Sequence, residues 1–107
     1  MLLLRWLRLD YARNGTTTPL GVAVLSPEGP KLLFRIREEV TFIAEEDTEV
    51  VASMASTFED IGMTSGPETA FDWMASTLSN VIRAEGPFEL HAEDAEQVLH
   101  ALYREHC

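Results

Sequence analysis

A single cysteine, Cys107, is all the thiol chemistry in this sequence. An internal disulfide is therefore excluded, and nothing points to an oxidising compartment. A thiol at the last position reads as unpaired and mobile, with no base held against it to make a nucleophile. There is no G-x-S-x-G turn, and the glycines are scattered through turns rather than gathered into a phosphate-cradling loop. The three histidines, His91, His100 and His106, lack metal-ligand spacing; His100 and His106 fall on different faces of a helix. Neighbouring acids such as Glu45–Glu46 and Glu93–Asp94 arise readily in so acidic a stretch and read as solvated surface. The expectation is a protein with no catalytic residues, no cofactor and no metal.

Long hydrophobic runs are missing too. "MLLLRWLRL" has Arg5 and Arg8 inside the run and no small-residue cleavage site after it. It is also far short of the roughly 20 residues of a membrane span. It reads as neither leader nor anchor, so a cytoplasmic protein without a membrane partner is expected.

Basic residues are few and unevenly placed. Residues 1–37 hold six basic groups against two acids, a net of +4, whereas residues 38–107 hold two against sixteen, a net of −14. The total of −10 would repel a phosphate backbone, which argues against direct nucleic-acid binding. The segregation instead suggests a polarised surface for protein partners.

The chain of 107 residues, 46% hydrophobic and 24% charged, fits one globular domain over 1–107. "LLLRWLRL" (2–9) reads as a strand and "RNGTTTP" (13–19) as a loop. "LGVAVL" (20–25) and "KLLFRIR" (31–37) form a hairpin across "SPEGP", where Pro27 and Gly29 suit a turn. In the second of these strands Leu32, Phe34 and Ile36 share one face and Lys31, Leu33, Arg35 and Arg37 the other. "VTFIA" (40–44) extends that strand or forms a short one.

The period then changes. Val50, Val51, Met54, Phe58 and Ile61 mark one helical face, opened by Asp47 or Thr48 and closed by Gly62. A second helix starts at "SGPE", with Ser65 and Glu68 at capping-box spacing. It carries Phe71, Met74, Leu78, Val81 and Ile82 on its face and stops at Gly86–Pro87. "FELHA" (88–92) is a short strand, and "EDAEQVLHALYREH" a final helix with Ala95, Val98, Leu99, Leu102 and Tyr103 on one face. The fold class is α+β. It comprises a small three- to four-stranded, mainly antiparallel sheet with three helices packed on one side, in the order β-β-β-α-α-β-α.

The tetrapeptide "MAST" occurs at 54–57 and again at 74–77. Two copies fall short of a repeat array, and an adaptable Met beside small residues is what closely packed helices need. The doubling reads as packing. Trp73, at the margin of its helix's apolar stripe, is a packing lid or a partner contact. Lys31, Leu33, Arg35 and Arg37 are either neutralised by the chain's own acidic helices or left open to an acidic partner or a second copy. These four residues and Trp73 are the candidate partner-binding set. The function expected is that of a small acidic interaction or regulatory module acting through a protein partner or homodimer. Two alternatives are an inhibitor mimicking nucleic acid through Glu38, Glu39, Glu45, Glu46, Asp47 and Glu49, and a ligand-binding domain or enzyme with a hidden pocket.

Overall fold

The computed structural model describes residues 1–29, 31–38, 41–76 and 81–107. Its elements are β1 (Leu2–Arg13), β2 (Thr16–Ser26), β3 (Lys31–Ile36), a 3₁₀ turn (Glu45–Asp47), α1 (Thr48–Ser65), α2 (Pro67–Ser76), β4 (Ile82–Ala92) and α3 (Ala95–His106). The strands form one antiparallel sheet in the order β3-β2-β1-β4. Class and element order are those expected from the sequence.

Several boundaries differ, each for a local reason. Residues 16–19, expected in a loop, open β2: Asn14 (φ 53°) and Gly15 (φ 78°) make a two-residue turn that reverses β1 directly into Thr16. Positive φ at both central positions matches the right-handed twist of the strands. α1 runs past Gly62 to Ser65, and Gly66, at φ 94°, joins it to α2. Ser65 therefore ends one helix rather than capping the next. Ile82, expected on the second helix, pairs with Tyr11 as the first residue of β4, and the Val81 carbonyl accepts from the Ala12 amide at 2.8 Å. Gly86–Pro87 lies inside β4, where the register with β1 shifts, and does not end an element. Residues 41–44 form no strand. Of the expected positions, Pro30, Glu39, Val40, Thr77 and Leu78 lie outside the described residues.

The helices do not all lie on one side. Leu7, Leu9 and Tyr11 of β1, Ala23 and Leu25 of β2 and Leu32, Phe34 and Ile36 of β3 meet Val51, Met54 and Phe58 of α1 and Phe71 and Met74 of α2. The alternate residues Leu2, Leu4, Trp6, Val22 and Val24 form a separate cluster with Val98, Leu99, Leu102 and Tyr103 of α3. A strand turns successive side chains to opposite faces, so α3 packs on the reverse of the sheet from α1 and α2. The correction follows from β1 and β2, which are apolar on both faces and must be covered on both.

The "MAST" copies show the same pattern in α1 and α2. Met54 and Met74 are buried, Ala55 and Ala75 half-buried, Ser56 and Ser76 exposed. Both methionines enter one core from two helices.

Candidate functional site

The candidate partner-binding residues are divided between two places. Lys31, Leu33 and Arg35 lie on the α3 face of β3, since Lys31 pairs with Ser26, Leu33 with Val24 and Arg35 with Val22. There the Lys31 ammonium stands 3.4 Å from Glu96 of α3, and the Arg35 guanidinium lies 4.2 Å from the centre of the Tyr103 ring. Arg37, just past β3, stacks over Phe42 at 4.8 Å and donates to the Pro19 carbonyl at 3.3 Å. Each cation thus has a partner within the chain, although Lys31 and Arg35 stay exposed. Trp73 lies on α2, across the sheet from this stripe, with its ring edge-on to Phe58 at 5.4 Å. The five residues do not converge on one site.

The acidic run after residue 38 is partly tied down. Asp47 accepts a hydrogen bond from the Tyr11 hydroxyl at 2.5 Å and another from the Arg13 guanidinium at 2.8 Å; Arg13 also pairs with Glu46. The Tyr11 oxygen in turn accepts from the Ala44 amide at 3.2 Å. Asp47 occupies the cap position of α1 without capping it, because its carboxylate is turned toward β1. This cluster clamps the start of α1 to the second half of the first strand.

The clamp has a pH signature. The Tyr11 hydroxyl, reinforced by Arg13, holds the Asp47 carboxyl below the usual carboxylate range, and Arg13 does the same for Glu46. A carboxyl depressed by folding stabilises the fold above its unfolded value, about 3.9 for an aspartate, and loses that contribution as pH falls through the folded value. Asp47→Asn is therefore expected to flatten the dependence of the urea midpoint on pH below about 4, with Tyr11→Phe producing part of the same change. An acid limb identical in all three proteins would remove the clamp.

Beside α3 the sheet is open. α3 lies over β2 and β3 and packs against Leu4 and Trp6 of β1, while the same face of β4 carries Phe88 and Leu90. The Trp6 ring lies 4.6 Å from Phe88 and 5.4 Å from His106, the end of α3. Phe88 and Leu90 remain 42% and 38% exposed. The shelf runs into polar ground at Arg8, whose guanidinium grips the buried Asp10 carboxylate at 3.0 Å, and at Arg83 and Glu85. Sequence reasoning read "FELHA" correctly as a strand but missed that Phe88 and Leu90 face outward: periodicity marks a face without saying whether anything covers it.

On the opposite face, α1, α2 and the β1–β4 pair line an apolar pocket of about 180 Å³ that is open to solvent at one side. Met54, Phe58 and Met74 form its walls, and Trp73 stands at its rim. Among the described residues, its polar side-chain atoms come from Ser53, Thr57 and the indole N–H of Trp73 at the rim.

Cys107 is half-buried against the α3 cluster, its amide bonded to the Tyr103 carbonyl at 2.8 Å, and burial pushes its thiol up. It is packed rather than loose. Among the described residues, no group of three His, Cys, Asp or Glu side chains is placed to hold a metal ion. No helix among them is long and apolar enough to cross a membrane. Comparison with family models, curated proteins and solved structures finds no match.

Proposed function

We propose that this protein is a small, acidic, non-catalytic interaction module that pairs with a second copy of itself through the open half of its sheet. The observation that carries this reading is the shelf of Phe88 and Leu90, exposed beside the half-buried Trp6 ring at the margin of α3. Among the described residues, two helices cover the opposite face of the sheet and one covers this face. Aromatic residues grouped on an open face are the usual anchors of an interface, and a two-fold contact needs only one patch, matched to itself. The rim suits self-pairing, because Arg83 and Glu85 supply both signs of charge. Extension of the sheet edge is a poorer route: β4 is bulged and carries Pro87, two devices that discourage strand addition.

Sedimentation of the full chain tests the proposal. A concentration-dependent dimer is expected, and Phe88→Ser combined with Leu90→Ser should raise its dissociation constant by at least about tenfold. Both side chains are exposed, so the fold should survive the change. Each copy carries −10, so added salt should tighten an apolar pairing by screening repulsion. A chain that stays monomeric at every concentration would exclude self-pairing. Association that weakens with salt would instead favour docking through the charged stripe at Lys31 and Arg35.

A further inference from the structure

We infer that the pocket between α1, α2 and the β1–β4 strands is a binding site for a small, neutral, one- or two-ring aromatic molecule carrying a hydrogen-bond donor, with indole as the model ligand. Three properties of the pocket select that class.

The first is size. The pocket holds about 180 Å³, slightly more than the roughly 150 Å³ of an apolar protein cavity that stays dry and takes up benzene. A nucleotide is too large to be buried in it, and an extended acyl chain would protrude from its mouth. One larger side chain at Ala84 or Ser53, both on its wall, would close it.

The second is the lining. Two thioethers, Met54 and Met74, face the space together with the ring of Phe58, and the Trp73 ring stands at the mouth, 37% exposed. Sulfur and aromatic edges favour a polarisable ring over an aliphatic chain. The two "MAST" methionines thus meet at one cavity.

The third is the polarity of what little is polar. The Ser53 hydroxyl donates to the Val50 carbonyl at 3.1 Å, and the Thr57 hydroxyl to the Ser53 carbonyl at 2.9 Å. Both protons are committed to the helix, so the hydroxyl oxygens offer a ligand lone pairs only. A ligand that brings its own N–H or O–H satisfies them; one that brings only acceptors does not. Neither α1 nor α2 contains a lysine or arginine, while Glu49, Glu59, Asp60 and Asp72 lie on them. A carboxylate or phosphate would enter against this field without a counter-charge.

The test is titration of the full chain, labelled at the methionine methyls, with indole, benzene and indole-3-acetate. The four methionines provide an internal control, since Met1 and Met63 are exposed and do not line the pocket. Indole should shift the Met54 and Met74 methyl signals saturably, at one molecule per chain, and leave Met1 and Met63 in place. Benzene should bind severalfold more weakly, and indole-3-acetate at least tenfold more weakly. Ala84→Leu should abolish the shifts. Should that variant unfold, Thr57→Val serves instead: it removes an acceptor and should bring indole closer to benzene in affinity. The absence of saturable shifts at Met54 and Met74 would overturn the inference. So would equal binding of the anion, or parallel shifts at all four methyls. The pocket and the shelf lie on opposite faces of the sheet, so failure of the dimer leaves this result interpretable, and the reverse holds as well.

Discussion

Gly21→Ala is expected to destabilise the domain by about 3 kcal/mol, the upper end for forcing an extra carbon into a packed interior. Gly21 sits in β2, opposite Leu9 of β1 and Ile36 of β3. A β-carbon there would lie 2.3 Å from the Arg35 carbonyl oxygen and 3.0 Å from the Ile36 α-carbon. A side chain in the way could rotate aside, but these are backbone atoms, so β3 itself must move off. With it would go the bond from the Arg37 amide to the Leu20 carbonyl, 2.7 Å long, and the seating of Phe34 edge-on against Phe58 at 6.0 Å. A domain of this size is stable by roughly 5–15 kcal/mol in total, so the loss is a large share. Urea unfolding should show a lower midpoint with an unchanged slope, and hydrogen exchange should show the β3 amides losing protection before those of β1. An alanine variant within about 0.5 kcal/mol of the parent, the range of ordinary surface substitutions, would mean that β2 and β3 are not so closely spaced.

How much of this was legible in the sequence depends on which force sets each feature. The alternation of Leu32, Phe34 and Ile36 was readable because β3 is apolar on one face and cationic on the other, and the sheet keeps that pattern. Met54, Phe58, Phe71 and Met74 were readable as core because helical spacing and burial agree. Val81 and Ile82 misled because adjacent apolar residues satisfy both the helical and the strand period; the β1 ladder claims Ile82. Asn14–Gly15 is among the strongest local hairpin signals, and the threonines after it obscured a strand that begins at once.

The reversal of α3 had a visible cue as well: "LLLRWLRL" and "LGVAVL" are close to continuously apolar, the mark of strands covered on both faces. The shelf and the pocket were not legible. Both arise from where layers fail to cover, and coverage is decided by connections between elements rather than by any residue's own periodicity. The candidate stripe shows the same limit from the other side: Lys31, Leu33 and Arg35 share a face as expected, but α3 brings Glu96 and Tyr103 to it.

Phe71→Ala should have the largest effect of any single change argued for this protein, about 3–5 kcal/mol for a buried phenylalanine truncated in a core. The ring is fully buried on α2, and the Arg5 guanidinium closes over it at 5.3 Å. Truncation therefore leaves a sealed void and deprives the cation of its aromatic surface. At about 4 °C per kcal/mol for a domain of this length, the melting temperature should fall by roughly 15 °C. Phe71→Leu, which refills most of the void, should cost much less.

The two tryptophans make this variant informative about more than one side chain. Trp73 reports the face that Phe71 occupies, and Trp6 reports the reverse face beside α3. The two faces share β1 and β2, whose alternate residues serve both clusters. Loss of packing on one side should therefore unfold the other at the same denaturant concentration. Single-tryptophan versions of Phe71→Ala, made with Trp6→Phe or Trp73→Phe, should give coincident transitions. If the Trp6 signal outlasted the Trp73 signal, α3 and its half of the sheet would form a separate cooperative unit, and the shelf that it borders could persist without α1 and α2.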